Sequence, residues 1–337
     1  MFPEKIEESF HLHLEAIQLL QNALESSYLD AYVEHVENVI DQFQVRVIDG
    51  VPDEQTTEKI HRIYQKLQEI SLAPEEIRKL SQLLLLKGAQ TEPLQPNHQL
   101  TPDSIGFLFV FLIEQLYPQK NQPLSVLDLA VGTGNLLLTV LNNLALAQYQ
   151  VSGIGADNDE TLLSLAAADS QWLQAHVQLF HQDALQELLI EPVDVGVADL
   201  PVGYYPIDEK AQSFVTAAAE GHSFAHHLLI EQSMKYVKED GFGFFLMPAN
   251  FLETEQSEQL KKWLGQDVYL QGIIQLPDEL FKTEASRKSI LIIQRKGPQA
   301  KQVPEVLLAK LKSLKDPQYI TGFFQEFIAW KTSSGLN

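Results

Sequence analysis

A chain of 337 residues, 45% of them hydrophobic, is long enough to bury one large core and a smaller one, and it holds no run approaching the roughly 18 uncharged apolar residues of a membrane span. The absence of cysteine excludes disulfides and thiolate metal sites, and the opening Met1-Phe2-Pro3-Glu4-Lys5-Ile6-Glu7-Glu8 is too acidic for a signal peptide, so a cytoplasmic location is expected. A formal charge of −21 sets the chain apart from proteins that grip nucleic-acid phosphates with clustered Lys and Arg.

From the N-terminus to about residue 90, apolar residues recur at helical spacing, as in Ile17, Leu19, Leu20 and Leu24 and again in Ile60, Ile63, Tyr64, Leu67 and Ile70. This predicts an all-helical domain of four or five helices. Within it, Phe43–Pro52 reads as a short strand or loop, with a turn at Asp49-Gly50 before Pro52. Seventeen acids face eight bases over residues 1–95, which suits a protein partner or self-association better than a nucleic-acid clamp. The polar, proline-bearing stretch Gly88–His98 marks a linker and divides the chain into a helical domain, 1–95, and a second domain, 96–337. A helix then begins near Thr101-Pro102-Asp103-Ser104, with Thr101 as N-cap and Pro102 at the first helical position.

Beyond Ser125 strands and helices alternate, which predicts an α/β fold, a Rossmann-like doubly wound parallel sheet. Seven strands are expected, over 125–130, 151–156, 177–181, 193–198, 241–247, 269–275 and 289–295. The connection Leu276–Lys288 is too short for a helical crossover, so the last two strands should pair antiparallel at the sheet edge.

The first strand runs through Val126-Leu127-Asp128-Leu129-Ala130-Val131-Gly132-Thr133-Gly134 into a new apolar helix. Gly132 and Gly134 allow a ligand close to the backbone, and the following helix aims free N–H groups and the positive end of its dipole at it. Asp128 can orient that loop or meet a cationic ligand group. The dinucleotide fingerprint would place a third glycine at 137, where this chain has Leu137, so nicotinamide and flavin cofactors are disfavoured. Asp157, about 20 residues on at the end of the second strand, can accept hydrogen bonds from ribose hydroxyls. Asp157 or Asp159 could instead cap the helix that follows. The fourth strand runs into Asp199-Leu200-Pro201-Val202-Gly203-Tyr204-Tyr205-Pro206, which brings an acid and aromatic rings to the crevice at the carboxyl end of a central strand, unless the tyrosines simply pack on the core. His222 and His226, with Glu231, lack a third metal ligand at convincing spacing, so no metal is expected and they should cap a helix and line the crevice. No Lys or Arg occurs from Asn121 to Glu209, whereas ten bases face four acids after Phe281. Any polyanion contact therefore falls to the C-terminal segment, although scatter on a solvated face would give the same counts.

In this order the motifs resemble the class I S-adenosylmethionine-dependent methyltransferases. The first loop is similar to the Asp-Pro-Ala-x-Gly-Thr-Gly form found in N6-adenine DNA methylases, and the helical N-terminal domain is similar to that of the YtxK-like group. Tyr236–Phe251 resembles the glycine turn and fifth strand of these enzymes, while Ile273–Phe281 followed by Ser289–Ile293 resembles the modification subunit of type I restriction systems. The resemblance implies S-adenosylmethionine as cofactor. It would be held by Thr101, Asp128, Ala130, Gly132, Gly134 and Asn135 around the loop, by Asp157 and Asn158 after the second strand, and by Asp183 and Ala184 after the third, with Asp183 on the adenine amine. It also implies that the Asp199 side chain and the Pro201 carbonyl hold an exocyclic target amine. Leu200 and Val202 depart from the (Asp/Asn/Ser)-Pro-Pro-(Tyr/Phe) pattern, and Tyr204 or Tyr205 would substitute for the missing stacking ring. Two functions fit: an N-methyltransferase of the DNA adenine type, or a cofactor-binding interaction module or methyltransferase acting on RNA or protein. The partners implied are DNA or another nucleic acid through the C-terminal basic segment, and a protein or a second copy through the helical domain.

Overall fold

The computed structural model describes residues 4–92 and 98–336. The expected boundary between residues 95 and 96 lies outside the described residues.

Four helices open the chain: α1 (Glu4–Leu24), α2 (Tyr28–Ile40), α3 (Glu54–Gln68) and α4 (Pro74–Thr91). The starts of α2, α3 and α4 have local causes. Ser27 accepts from the Asp30 N–H, Asp53 accepts from the Thr56 N–H, and α4 begins with a proline, with Glu76 reaching back to the Ala73 N–H. Between α2 and α3 the expected turn is present. Ile48 and Val51 form a single bridge across Asp49 and Gly50, both in the left-handed region.

The remaining elements, in chain order, are α5 (Asp103–Leu116), β1 (Leu124–Asp128), α6 (Asn135–Leu146), β2 (Val151–Asp157), α7 (Glu160–Trp172), β3 (Val177–His181), β4 (Val193–Asp199), the one-turn α8 (Asp208–Ala211), α9 (Ala225–Tyr236), β5 (Val237–Pro248), α10 (Ser257–Gln266), β6 (Val268–Gln275), β7 (Lys288–Arg295), β8 (Leu307–Lys310) and α11 (Pro317–Ser333). The sheet order is β3-β2-β1-β4-β5-β7-β6-β8. Strands β1 to β5 are mutually parallel, and β7 runs antiparallel to both of its neighbours. Helices α5, α6 and α11 cover one face, with Phe109, Leu137 and Phe327 among the buried side chains; α9 and α10 cover the other with Leu228, Ile230 and Trp263. No helix among the described residues is long and apolar enough to cross a membrane.

Three features differ from the sequence reading. An eighth strand, β8, pairs parallel with β6 and forms the edge, so the antiparallel pair lies inside the sheet. Its four residues are too few to show a periodicity. The N-cap of α5 is Pro102 and carries no side-chain cap, because Thr101 turns its hydroxyl to Asp199. Most consequential, the N-terminal helices do not close a core of their own. Ile17, Leu20, Tyr32 and Ile60 share one hydrophobic cluster with Leu162, Leu165 and Ala168 of α7.

Buried polar groups tie the helices together. The Tyr32 hydroxyl (2.6 Å) and the Ser81 hydroxyl (2.6 Å) both donate to Asp169 on α7. His13 Nδ1 lies 2.6 Å from His35 Nε2, and His35 Nδ1 lies 3.0 Å from the Tyr64 hydroxyl. Burial lowers His13 to about 3, and burial with the neighbouring His13 holds His35 well below its ordinary value. Both rings are neutral when folded and take up protons only on unfolding, so the stability they allow is intact above pH 6.5 and is lost as pH falls toward their folded values. Hydrogen exchange should therefore show the opening free energy of α1 to α3 falling by about 1.4 kcal/mol per histidine per pH unit between pH 6 and 5. An opening energy that does not change with pH would contradict the buried neutral pair.

Candidate functional site

The crevice lies at the carboxyl ends of β1 to β4. After β1 the backbone turns through Gly132 (φ 51°) and Gly134 (φ 79°) into α6. A Cβ added to Gly132 would meet nothing within 4 Å, so its requirement is the left-handed backbone and the open space in front of it. Gly134 instead faces Ala166, whose Cβ would lie 3.1 Å from an added Cβ. Two carboxylates hold this loop. Asp128 Oδ1 accepts from the Ala130 N–H (3.0 Å), and Asp157 Oδ2 accepts from the Gly132 N–H (2.8 Å).

The two roles considered for the acids after β2 separate cleanly. Asp159 caps α7 by accepting from the Leu162 N–H (3.0 Å), while Asp157 faces the glycine loop. Asn158 is exposed, and its carbonyl lies 3.3 Å from His181 Nε2. Beyond β3, Asp183 Oδ2 accepts from the Tyr205 hydroxyl (2.7 Å) and from Lys210 Nζ (3.2 Å). Burial alone would raise Asp183, but the bonds from Tyr205 and the Leu185 N–H, with the Lys210 ammonium, hold it below the ordinary carboxylate range. Burial and the same Asp183 bond push the Tyr205 hydroxyl up. Ala184 is buried, and its carbonyl accepts from Gln232.

Asp199 ends β4. Its Oδ2 accepts from the Thr101 hydroxyl (2.9 Å), and its Oδ1 pairs with the ammonium of Lys288, the first residue of β7. The tyrosines that follow also separate. Tyr205 is buried, whereas Tyr204 is 55% exposed and stacks on Phe224 with ring centroids 5.0 Å apart.

Two confluent cavities of about 580 and 430 Å³ fill the crevice and share Gly132, Leu162, Asp199 and Pro201. Thr101, Asp128 and Asn135 line the first; Asp157, Asn158, Asp183 and Ala184 line the second, with Tyr204 and Tyr205 at its far side. Of the residues expected to hold the cofactor or the acceptor, only Gly134 lines neither. Although residues 121–209 hold no Lys or Arg, the crevice is not without bases: Lys210 lines the second cavity, and the connection before β7 brings Lys282, Arg287 and Lys288 to the first. Sequence reading counted the last three without placing them. Arg287 is paired with Asp278 (3.0 Å) and Glu284 (2.9 Å), and Lys288 with Asp199, so much of this charge is already engaged. The histidines behave differently from expectation too. His222 precedes α9 and pairs with Asp208 (2.9 Å), while His226 is buried against Phe224; neither lines a cavity, and the N-cap of α9 is Phe224. The His226 ring sits behind the site, where burial and the Lys288 charge lower it to about 4, opposed by the Pro201 backbone.

Asp128 is 1% exposed, and burial pushes it up to about 8, with Asp157 and Asp199 adding to the rise against the Ala130 N–H bond. Asp128, Asp157 and Asp199 thus converge on a space whose Lys210, Arg287 and Lys288 are already engaged by carboxylates, an environment complementary to a cation. The protonated Asp128 also sets a pH dependence. The folded chain retains this proton between the ordinary value of 3.8 and about 8 while the unfolded chain releases it, so stability falls as pH rises through that window. Urea unfolding of the ligand-free protein from pH 6 to 8 should show a loss of about 1.4 kcal/mol per pH unit relative to Asp128→Asn, which cannot titrate. Parallel profiles for the two proteins would mean that Asp128 is ionised throughout.

The sequence profile of the N-6 DNA methylase family matches residues 82–318, and that of the YtxK N-terminal helical domain matches residues 7–89. The YtxK protein of Bacillus subtilis is 39% identical over 325 residues, covering 95% of this chain and 96% of its own length. A Listeria monocytogenes protein assigned to the class I S-adenosylmethionine-dependent methyltransferases has a similar structure, with a TM-score of 0.87 at 42% identity over 97% of this chain and 99% of that one. The methyltransferase subunit of a type I restriction-modification system from Streptococcus thermophilus shares the fold, with a TM-score of 0.64 at 13% identity over 95% and 74% of the two chains.

Proposed function

This chain belongs to the N-6 DNA methylase family of S-adenosylmethionine-dependent methyltransferases, and on that premise we propose that it transfers a methyl group to an exocyclic amine held by the Asp199 loop. The observation that carries the reading is the convergence of Gly132, Asp128, Asp157, Asp183 and Asp199, contributed by the ends of four adjacent strands, on one crevice.

The residues fit the cofactor. Gly132 leaves open space where a ligand approaches the backbone, and the half-buried Asp157, Asp183 and Asp199 beside the buried Asp128 suit a ligand bearing a sulfonium and an ammonium. When bound, the cofactor supplies an electrophilic methyl on sulfur, with a neutral thioether as leaving group. In this reading Asp157 and Asn158 meet the ribose, Asp128, Ala130, Asn135 and Thr101 border the amino-acid end, and Asp183 and Ala184 meet the adenine. Asp183 already accepts from Tyr205 and Lys210, so the adenine amine shares that carboxylate with them. Asp199 and the Pro201 carbonyl orient the acceptor, and holding it in line does most of the catalysis. Tyr204 is the ring on which a flipped base would stack, since Tyr205 is committed to the core and to Asp183.

A second reading, in which the acceptor is RNA or protein, or the chain binds the cofactor as an interaction module, is favoured by one observation. Three of the four bases lining the crevice, Lys210, Arg287 and Lys288, are held by this chain's own carboxylates. Nucleic acid would then be met by the C-terminal basic segment, and a protein partner by the acidic helical domain. The protein would act in the cytoplasm.

Calorimetry should detect S-adenosylmethionine, and Asp157→Ala should weaken it by roughly 1.5–3 kcal/mol, the worth of charge-assisted hydrogen bonds. Unchanged affinity would remove Asp157 from the site. Asp199→Ala should abolish transfer to DNA, RNA or protein acceptors yet leave cofactor affinity nearly intact, because its contact is to the acceptor. Full transfer by that variant would sink the assignment. Filter binding of duplex DNA should be weak and only shallowly salt-dependent, since few phosphates can be neutralised. Tight binding at physiological salt that survives neutralising Lys282 and Arg287 would contradict it.

A further inference from the structure

The helical domain reaches the crevice through one buried side chain. Gln82 of α4 is 6% exposed, and its Nε2 donates to Asp103 Oδ1 at the start of α5 (2.7 Å) and to Asn135 Oδ1 at the start of α6 (3.2 Å). Asn135 Nδ2 donates to the Thr101 carbonyl (2.7 Å), the Thr101 hydroxyl donates to Asp199 Oδ2 (2.9 Å), and Asp199 Oδ1 holds the Lys288 ammonium. The chain of contacts is continuous from the N-terminal helices, through the residue that follows the glycine loop, to the carboxylate at the end of β4. One turn earlier on α4, Arg78 fixes the frame. It is 3% exposed, donates to Asp103 Oδ1 (3.0 Å) and to the Thr139 hydroxyl of α6 (3.1 Å), and so clamps α4 to the same two helices.

We propose that Gln82 is a positioning residue of the methyl-transfer site, acting through Asn135 and Thr101 on Asp199, so that the helical domain is a working part of that site. The inference rests on the proposed roles of the glycine loop and Asp199. An amide presents an oxygen at one end and donors at the other, and which end faces Thr101 is set by what the opposite end meets. With Gln82 donating, the Asn135 oxygen is committed to it and the Asn135 amino group must face the Thr101 carbonyl. Without that donor the Asn135 oxygen loses its partner, and the amide is held only at its amino end by the Thr101 carbonyl. Thr101 then shifts, and because the same residue supplies the hydroxyl on Asp199, the Asp199–Lys288 pair loosens with it. Ser81, the preceding residue on α4, is a natural control. It is equally buried, but its hydroxyl goes to Asp169 on α7 and away from this chain of contacts.

Full-length Gln82→Met, Ser81→Ala, Thr101→Val and the Gln82→Met/Thr101→Val double variant test it. The readouts are the rate at which acetic anhydride labels Lys288 in the cofactor-free protein, followed by mass spectrometry, the calorimetric affinity for S-adenosylmethionine, and the thermal midpoint. Gln82→Met should speed Lys288 labelling and weaken cofactor affinity by about tenfold each, the scale of one or two lost buried hydrogen bonds. Ser81→Ala should lower the midpoint by at least as much while leaving both other readouts at wild-type values. The double variant should label no faster than Thr101→Val alone, because the two substitutions break one linked chain. Wild-type labelling in Gln82→Met, additive labelling in the double variant, or Ser81→Ala matching Gln82→Met in all readouts would overturn the inference. A wild-type protein that binds no cofactor would defeat the proposed function, whereas the labelling comparison would still decide the relay.

Discussion

The site is arranged around the pairing of Asp199 with Lys288. A carboxylate at the end of a strand covered on both faces needs an opposite charge or donors close by, and from Asn121 to Glu209 the sequence contains no Lys or Arg. The charge comes from 89 residues further along the chain, and the topology delivers it. Because β7 runs antiparallel between β5 and β6, its first residue lies opposite the last residue of β5, with Lys288 across from Pro248. A parallel strand in that slot would begin at the far edge of the sheet, away from the ligand side. The same reversal carries Lys282 and Arg287 to the mouth of the crevice. An acid-rich half thus acquires its bases by strand direction alone.

Much of the fold was legible because the strands of the parallel sheet are short apolar runs bounded by acids and glycines, and these mark strand ends where ligands collect. Asp128, Asp157 and Asp199 could be placed at the crevice from the strand ends they follow, and Asp183 through the family resemblance. Contacts between distant segments could not be read in the same way. The Thr101-Pro102 start looks like a capped helix in isolation, yet proline takes the cap position and the threonine hydroxyl answers a carboxylate 98 residues away. β8 escapes a periodicity test at four residues. The packing of the N-terminal helices on α7 could not be read, because helical spacing reveals that a face is apolar and not which face it will meet.

The acids of the crevice are not alike. Burial, with Asp157 and Asp199 close by, pushes Asp128 up and favours its protonated form. Asp183 works by a different route, kept ionised by Tyr205 and Lys210. Two carboxyls in one crevice therefore differ in protonation through surroundings that their sequence contexts do not distinguish.

The core shared between the N-terminal helices and α7 also orders events during synthesis. The helices are translated first, but the side chains that complete their packing, Leu162, Leu165 and Ala168, emerge later. The interval between α4 and α7 is about 80 residues, or roughly 4–16 s at ribosomal rates of about 5–20 residues per second. Over that interval the nascent bundle presents an apolar face with nothing to cover it, a natural binding surface for a chaperone at the exit tunnel.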